Sequence, residues 1–317
     1  MSVKRRMLLP TLWGIALLAT GCAPADLADP QDPGEWIVDP VVVSTTSAES
    51  GPVSTDVGLP AATIAGDGAG GFWAGSESVA HYSADDPQAG PDQKAGAPNG
   101  QVQALSARDA DTLFAVSTDP VGRSVLSQWT AASATWTTLR AVGELYGDVA
   151  ATADAVLYVE FGEQTVKDRF VIRRLVPGGA PTTVGPEFVG SEVRIAPGRG
   201  GAVFVVTDTE RFVLAADGGV SARVAHDPAD RPVGRVSLDG APLWTDRPDI
   251  PSAGWYIATG SDEARKVIED ASEGCDDMGD RASSPSCGWD ATWLDAQTFV
   301  TSVGGEGGAV LAVVRAP

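Results

Sequence analysis

The sequence predicts an all-β fold arranged as a six-bladed β-propeller, and three observations predict it. From residue 57 onward, glycines, prolines and short β-branched or aromatic runs alternate at close spacing, with hardly any of the 3.6-residue periodicity of amphipathic helices. One unit recurs: a small-residue strand, a tight polar turn, then an apolar strand carrying an aromatic. It reads Ile64-Ala65-Gly66-Asp67-Gly68-Ala69-Gly70-Gly71-Phe72-Trp73 and again Leu105-Ser106-Ala107-Arg108-Asp109-Ala110-Asp111-Thr112-Leu113-Phe114. The aromatic anchors Trp73, Phe114, Tyr158, Phe204, Trp244 and Phe299 fall 41, 44, 46, 40 and 55 residues apart, the period of four-stranded blades.

In chain order, the first element is a leader. Lys4, Arg5 and Arg6 precede an apolar run from Met7 to Leu18, and small residues lead to a cysteine in Leu18-Ala19-Thr20-Gly21-Cys22. This is the layout of a secretory signal. The run is about a dozen residues, shorter than the ~20 that span a bilayer. The segment resembles a bacterial lipoprotein signal and its lipobox, with Ala19 where leucine is commoner. The resemblance implies that residues 1–21 are removed as a signal peptide and that Cys22 becomes a diacylglycerated, palmitate-bearing N-terminus. The chain would then lie in the cell envelope, lipid-anchored to the membrane and facing the extracytoplasmic side. Ala23 after the cysteine, rather than aspartate, implies the outer membrane in an enterobacterial host. Two or more acyl chains hold a protein where one exchanges.

Residues 22–56 read as a tether. Ala23 to Asp56 contains no lysine or arginine, seven acidic residues and repeated Pro, Ser and Thr, so it buries too little apolar surface to offset its ordering entropy. As a coil it reaches ~30 Å. Residues 36–43, Trp36-Ile37-Val38-Asp39-Pro40-Val41-Val42-Val43, are the exception: exposed, such a run would aggregate, so it is expected to dock on the folded domain as a strand.

The propeller domain is assigned to residues 57–317. Weaker copies of the unit run Ala150 to Tyr158, Ile195 to Phe204, Val236 to Trp244 and Trp293 to Phe299. Outer strands are expected at Ser124 to Trp129 and Thr135 to Leu139. The hairpin from Gln128 to Leu139 resembles a kelch-type outer hairpin and a decayed sialidase Asp-box, with Ala131 where the aspartate belongs. Ser261 to Ser272 is the best helical candidate and equally an outer strand. Seven blades are reached if the polar stretch Ser83 to Gly100 hides an irregular one. The last blade runs out at Val310 to Val314 without an outermost strand, and Ile37 to Val43 is the expected donor.

The formal charge is −20, and loss of Lys4, Arg5 and Arg6 with the leader takes it to −23. So acidic a chain repels phosphate backbones, which excludes nucleic acid as a partner. With Cys22 taken by lipid, Cys275 and Cys287 are the candidates for a disulfide in an oxidising compartment. Their bridge would close a loop of about a dozen residues and stabilise it by roughly 3 kcal/mol. No further Cys or His lies nearby to complete a tetrahedral metal set.

No residue is assigned a catalytic role. His81 alternates with apolar neighbours, which favours a structural role. His226, in Ala225-His226-Asp227-Pro228, reads as solvated. Asp276, Asp277 and Asp280 form the densest acidic cluster and suit calcium by their hard oxygens, but their spacing departs from the EF-hand pattern and a solvated loop is the other reading. The glycine-rich stretches at 67–71 and 304–308 are turns. Among tryptophans, Trp129, Trp136, Trp255 and Trp293 read as inter-blade core, and Trp289 is the candidate for contact with a ligand. Asp67, Asp109, Asp154 and Asp239 fall near turns between inner strands, where turn chemistry explains them, and would act as carboxylate pairs only if they converged. The sequence therefore points to a membrane-anchored binding or scaffold module whose partner is an envelope protein or glycan. An extracytoplasmic hydrolase or lyase acting on glycans or peptidoglycan fragments is the alternative.

Overall fold

The computed structural model describes residues 37–40, 63–75, 78–98, 100–142, 145–161, 169–190, 193–198, 201–207, 209–225, 243–245, 255–258, 264–268, 291–295, 297–303 and 310–315. Among these the chain is strand throughout except for one 3-10 turn, Pro87–Ala89. The strands form a β-propeller. Blade 1 comprises β2 (Thr63–Gly66), β3 (Gly71–Gly75), β4 (Val79–Ser83) and β5 (Gln93–Gly96). Blade 2 comprises β6 (Gln101–Asp109), β7 (Thr112–Thr118), β8 (Ser124–Thr130) and β9 (Thr135–Val142). Blade 3 comprises β10 (Leu145–Ala151), β11 (Val156–Phe161), β12 (Arg169–Leu175) and β13 (Thr182–Val189), and blade 4 comprises β14 (Val193–Pro197), β15 (Val203–Thr207), β16 (Glu210–Leu214) and β17 (Val220–Ala225). A three-stranded sheet of β18 (Leu243–Thr245), β19 (Trp255–Ala258) and β20 (Ala264–Ile268) stands at the sequence position of a fifth blade. The last blade pairs β21 (Ala291–Trp293), β22 (Thr298–Val303) and β23 (Val310–Arg315) with β1 (Ile37–Pro40), in the order β1-β23-β22-β21.

Blades 1 to 4 are antiparallel meanders, each strand paired with the next in sequence. The core lies between blades rather than within one. Trp73 and Val79 of blade 1 pack with Leu105, Leu113 and Trp129 of blade 2, while Phe114 and Leu126 of blade 2 pack with Val149, Val156 and Tyr158 of blade 3. Leu157, Phe170 and Ile172 of blade 3 meet Ile195, Val205 and Phe212 of blade 4. Ile64 and Phe72 of blade 1 meet Val300 and Val313 of the last blade. A strand covered on both faces needs apolar residues at every position, which is why β3, Gly71-Phe72-Trp73-Ala74-Gly75, is buried throughout. Of the six anchors, Trp73, Phe114, Tyr158, Phe204 and Phe299 lie on the second strand of their blades, and Trp244 lies on β18. The first-strand positions of that repeat, Val236 to Asp239, lie outside the described residues.

Polar links join blades as well. The Ala151 N–H donates to Ser106 Oγ at 2.8 Å, tying the inner strands of blades 2 and 3. A register break between Tyr146 and Val149 turns buried Asp148 toward blade 4, where its carboxylate accepts the Ile195 N–H at 2.7 Å. The Arg108 guanidinium lies over the Phe114 ring and donates through Nε to the Thr152 carbonyl at 2.8 Å. Trp136 Nε1 donates to the Ala95 carbonyl at 3.0 Å, tying blade 2 to blade 1.

One expectation is corrected and one alternative is decided. The stretch Ser83 to Gly100 is no extra blade: it carries the 3-10 turn and β5, the fourth strand of blade 1. Of the two readings of Ser261 to Ser272, helix and outer strand, the strand holds: the segment contains β20, whose β-branched Val267 and Ile268 suit a sheet. Of the expected closing segment 36–43, Ile37–Pro40 pairs with β23, with Ile37 opposite Arg315 and Pro40 opposite Ala312, and the remaining residues lie outside the described ones.

Because β1 covers the edge of β23, a chain lacking residues 22–43 should expose that edge, melt at lower temperature and aggregate, while one lacking only 22–35 should not. Thermal melts with light scattering on the two truncations check this.

Candidate functional site

In blades 1 to 4 the turn between first and second strands and the connection between third and fourth lie at one end, termed here the turn end. In blade 1 this proximity is direct, since the Ala84 N–H donates to the Gly70 carbonyl at 3.1 Å. In blade 2 the Ala131 N–H donates to the Asp111 carbonyl at 2.9 Å. The opposite end carries the loops between second and third strands and the links between blades, and is termed the linker end.

The densest arrangement of ionisable side chains around a histidine is at the turn end of blade 1. Asp67 immediately follows β2, His81 sits in the middle of β4, and Asp92 immediately precedes β5. His81 Nε2 lies 3.0 Å from Asp67 Oδ2 and His81 Nδ1 lies 2.6 Å from Asp92 Oδ1. The other Asp67 oxygen accepts the backbone N–H groups of Ala69 at 2.7 Å and Gly71 at 2.9 Å. Gly68 and Gly70 have φ of 74° and 95°, the left-handed conformation that makes this turn a glycine position. At Gly71 a Cβ would fall 2.5 Å from His81 Nε2 and 2.6 Å from Asp67 Oδ2, so the ion pair occupies the space a side chain would need. The Trp73 ring meets the imidazole edge-on at 5.0 Å and meets Trp129 in the same way.

The electrostatics follow from this packing. Burial works against an ionised Asp67, but the hydrogen bonds from His81, Ala69 and Gly71 outweigh it and hold its carboxyl below the usual range. Burial likewise works against imidazolium, yet the bonds to Asp67 and Asp92 outweigh it and push His81 above its ordinary value. Tyr82, stacked on Phe72 at 5.4 Å, is pushed up to about 12 by burial alone.

The other carboxylates near turns are engaged locally. Asp109 accepts the Asp111 N–H at 3.0 Å, and Asp154 accepts from the Thr152 hydroxyl at 3.1 Å and pairs with Arg174 at 2.5 Å. Each serves its own blade, and the described residues gather no cluster of three or more His, Cys, Asp or Glu suited to a metal. Trp129 is buried, Trp293 is buried against Phe299, and Trp136 caps the gap between blades 1 and 2. Cys22, Cys275, Cys287, Asp276, Asp277, Asp280, Trp289, His226, Asp239 and the glycines at 304–308 lie outside the described residues, and Trp255 is described only as part of β19.

Sequence reasoning missed Asp92, which lies in an irregular loop with no periodic signal, and Asp148, which a bulge turns inward. It also missed a charged cluster between blades 2 and 3. There Glu160 accepts from Arg173 Nε at 2.5 Å and lies 3.6 Å from Arg140, beside the buried Tyr158. At the linker end, a half-open cleft of about 520 Å³ is lined by Pro98, Asp119, Pro120, Arg123, Val125 and Thr138, within the range of small-ligand sites.

No family model and no curated protein matches the chain. The architecture is shared with solved structures. An oligogalacturonate lyase from Vibrio parahaemolyticus is 10% identical, with 90% of this chain and 99% of that one covered and a TM-score of 0.52. A protein of unknown function from Bacteroides thetaiotaomicron is 10% identical, with 81% of this chain and 69% of that one covered and a TM-score of 0.51. TolB from Acinetobacter baumannii is 11% identical over 80% of this chain and 63% of that one, with a TM-score of 0.46. The likeness to the lyase and to the Bacteroides thetaiotaomicron protein shows the fold alone, a β-propeller, and leaves the activity to the site.

The raised His81 contributes stability that is complete below its unfolded value of ~6.5 and lost as pH rises through the folded one, while the depressed Asp67 contributes stability lost as pH falls below ~4. Melting temperature should therefore peak between these limits, and His81→Gln should remove the alkaline decline. Gly71→Ala, which displaces the ion pair, should cost about 3 kcal/mol. Thermal and denaturant melts across pH check all three.

Proposed function

We propose that the protein is a membrane-anchored extracytoplasmic lipoprotein whose propeller is a non-catalytic binding or scaffold module. The observation that carries this reading is the state of His81, the one histidine among the described residues. Both its ring nitrogens face carboxylates inside blade 1, and its side chain is 10% exposed. A general base needs a free nitrogen within reach of substrate, and this imidazole instead braces a turn against a strand. Asp67, Asp109 and Asp154 are engaged in the same local manner, so groups suited to proton transfer are used to hold the ring. The half-open cleft at the linker end suits recognition, and the recognised partner is an envelope protein or glycan. Cys22 bears the lipid, and Cys275 and Cys287 form a disulfide. The outer hairpin of blade 2 is read as a kelch- or Asp-box-type repeat on its sequence resemblance.

The anchor has a direct test: Cys22→Ser should move the protein from the membrane to the soluble fraction and abolish palmitate labelling. The scaffold role is tested by cross-linking on intact cells that express the lipidated chain. One stoichiometric envelope partner is expected, lost when residues 57–317 are deleted and kept when the tether is shortened without touching 37–43. A hydrolytic or eliminative turnover of glycan fragments, abolished by a single change at an inner strand, would overturn the non-catalytic reading in favour of a hydrolase or lyase.

A further inference from the structure

The strand that closes the ring is also the part of the described chain nearest to the lipidated cysteine, and its direction is fixed by register. In the last blade, Thr298 lies opposite Arg315, and Ile37 lies opposite Arg315 on the other side. Thr298 immediately follows the turn between β21 and β22, where the Leu294 N–H donates to the Thr298 carbonyl at 2.9 Å. Ile37, Arg315 and Thr298 are therefore all at the turn end. A second link agrees: Arg315 donates to the carbonyl of Ala84, in the connection between third and fourth strands of blade 1. The first residue of β1, Ile37, is thus at the turn end of the outermost strand, and its last, Pro40, lies toward the linker end.

We infer that the lipid anchor orients the propeller, with the turn end of the last blade and blade 1 toward the bilayer and the linker end of blades 2 and 3 presented away from it. This rests on the proposed lipidation of Cys22. Between Cys22 and Ile37 there are 14 residues. As the tether read from their composition, they would reach about 50 Å at full extension and about 20 Å on average. A seven-residue blade strand such as β7 is itself about 24 Å long. Bringing the linker end of blade 2 to the bilayer would require the tether to run the height of a blade and across the ring as well. The average tether is too short for that, so the geometry favours one face.

The two ends differ in chemistry. The turn end carries exposed Asp85, Asp86, Asp92, Asp109, Asp111, Asp154, Asp217 and Asp295. These repel anionic headgroups, so the near face is held off such a bilayer rather than adsorbed to it. The linker end carries the cleft of about 520 Å³ and the two most exposed large apolar side chains among the described residues, Val121 at 73% and Val189 at 72%. The surface of the scaffold that an extracytoplasmic partner can reach is accordingly the linker end.

Site-specific fluorescence quenching tests this. The lipidated full chain, with Cys275 and Cys287 replaced by serine, receives one labelled cysteine at an exposed position. Ala69→Cys and Gln297→Cys mark the turn end, and Val121→Cys and Val189→Cys mark the linker end. Each is bound to phosphatidylcholine vesicles carrying a headgroup-attached quencher, zwitterionic lipid being chosen to avoid repulsion. The turn-end labels should be quenched several-fold more than the linker-end labels. Equal or reversed quenching in vesicle-bound protein would overturn the orientation and leave lipidation standing. Failure of the chain to bind vesicles, together with unmodified Cys22 by mass spectrometry, would overturn lipidation and the orientation with it.

Discussion

The pairing of β1 with β23 is the constraint on which the rest of the structure depends. Without a fourth strand the last blade would leave β23 as its edge, and here the strand that covers it comes from the opposite end of the chain. Four residues, Ile37 to Pro40, cover β23 and place the last blade beside blade 1, where Ile64, Phe72, Val300 and Val313 form a shared core. Without that closure the cores between the other blades would have no reason to form a ring, because each blade buries apolar surface only against its two neighbours. The final loop closure joins residues far apart in sequence, which makes it the entropically costly step and places it late in folding.

Closure explains why the polar groups of this chain are arranged as they are. Inner strands lie side by side without hydrogen bonding to one another as a sheet, so their outward-facing backbone groups need other partners. Ser106 and Asp148 supply acceptors to Ala151 and Ile195 of the next blade, and Arg108 supplies a donor to Thr152. The Asp67–His81–Asp92 arrangement does comparable work inside blade 1, clamping the first turn to the third and fourth strands. Such groups in a cleft of another protein would suggest acid–base chemistry. Here His81 is held between two carboxylates and joins the turn to the strands on either side of it.

Much of the fold was legible in the sequence, and the reasons are physical. Strands buried on both faces leave dense apolar runs, and glycines and aspartates mark the turns, so the spacing of Trp73, Phe114, Tyr158, Phe204 and Phe299 reported blades directly. The closing strand was legible because Trp36 to Val43 is apolar within an acidic, Pro/Ser/Thr-rich stretch. What was not legible depends on contacts distant in sequence or on local irregularity. Asp92 is an ordinary loop aspartate until β4 brings His81 beside it. Asp148 would have been counted as solvent-facing without the register break after Tyr146. The 261–272 segment alternates charged and apolar residues in a way that serves helix and strand alike, and only pairing with β19 selects the strand β20.

Hydrogen exchange of the chain tests the central claim most directly. Amides of β23 in peptides spanning 310–315 should be protected as strongly as those of β7 and β11, and protection should extend to 37–39. Rapid exchange at β23 and β1, beside slow exchange in β7 and β11, would show that the ring is open at this seam and would contradict the account.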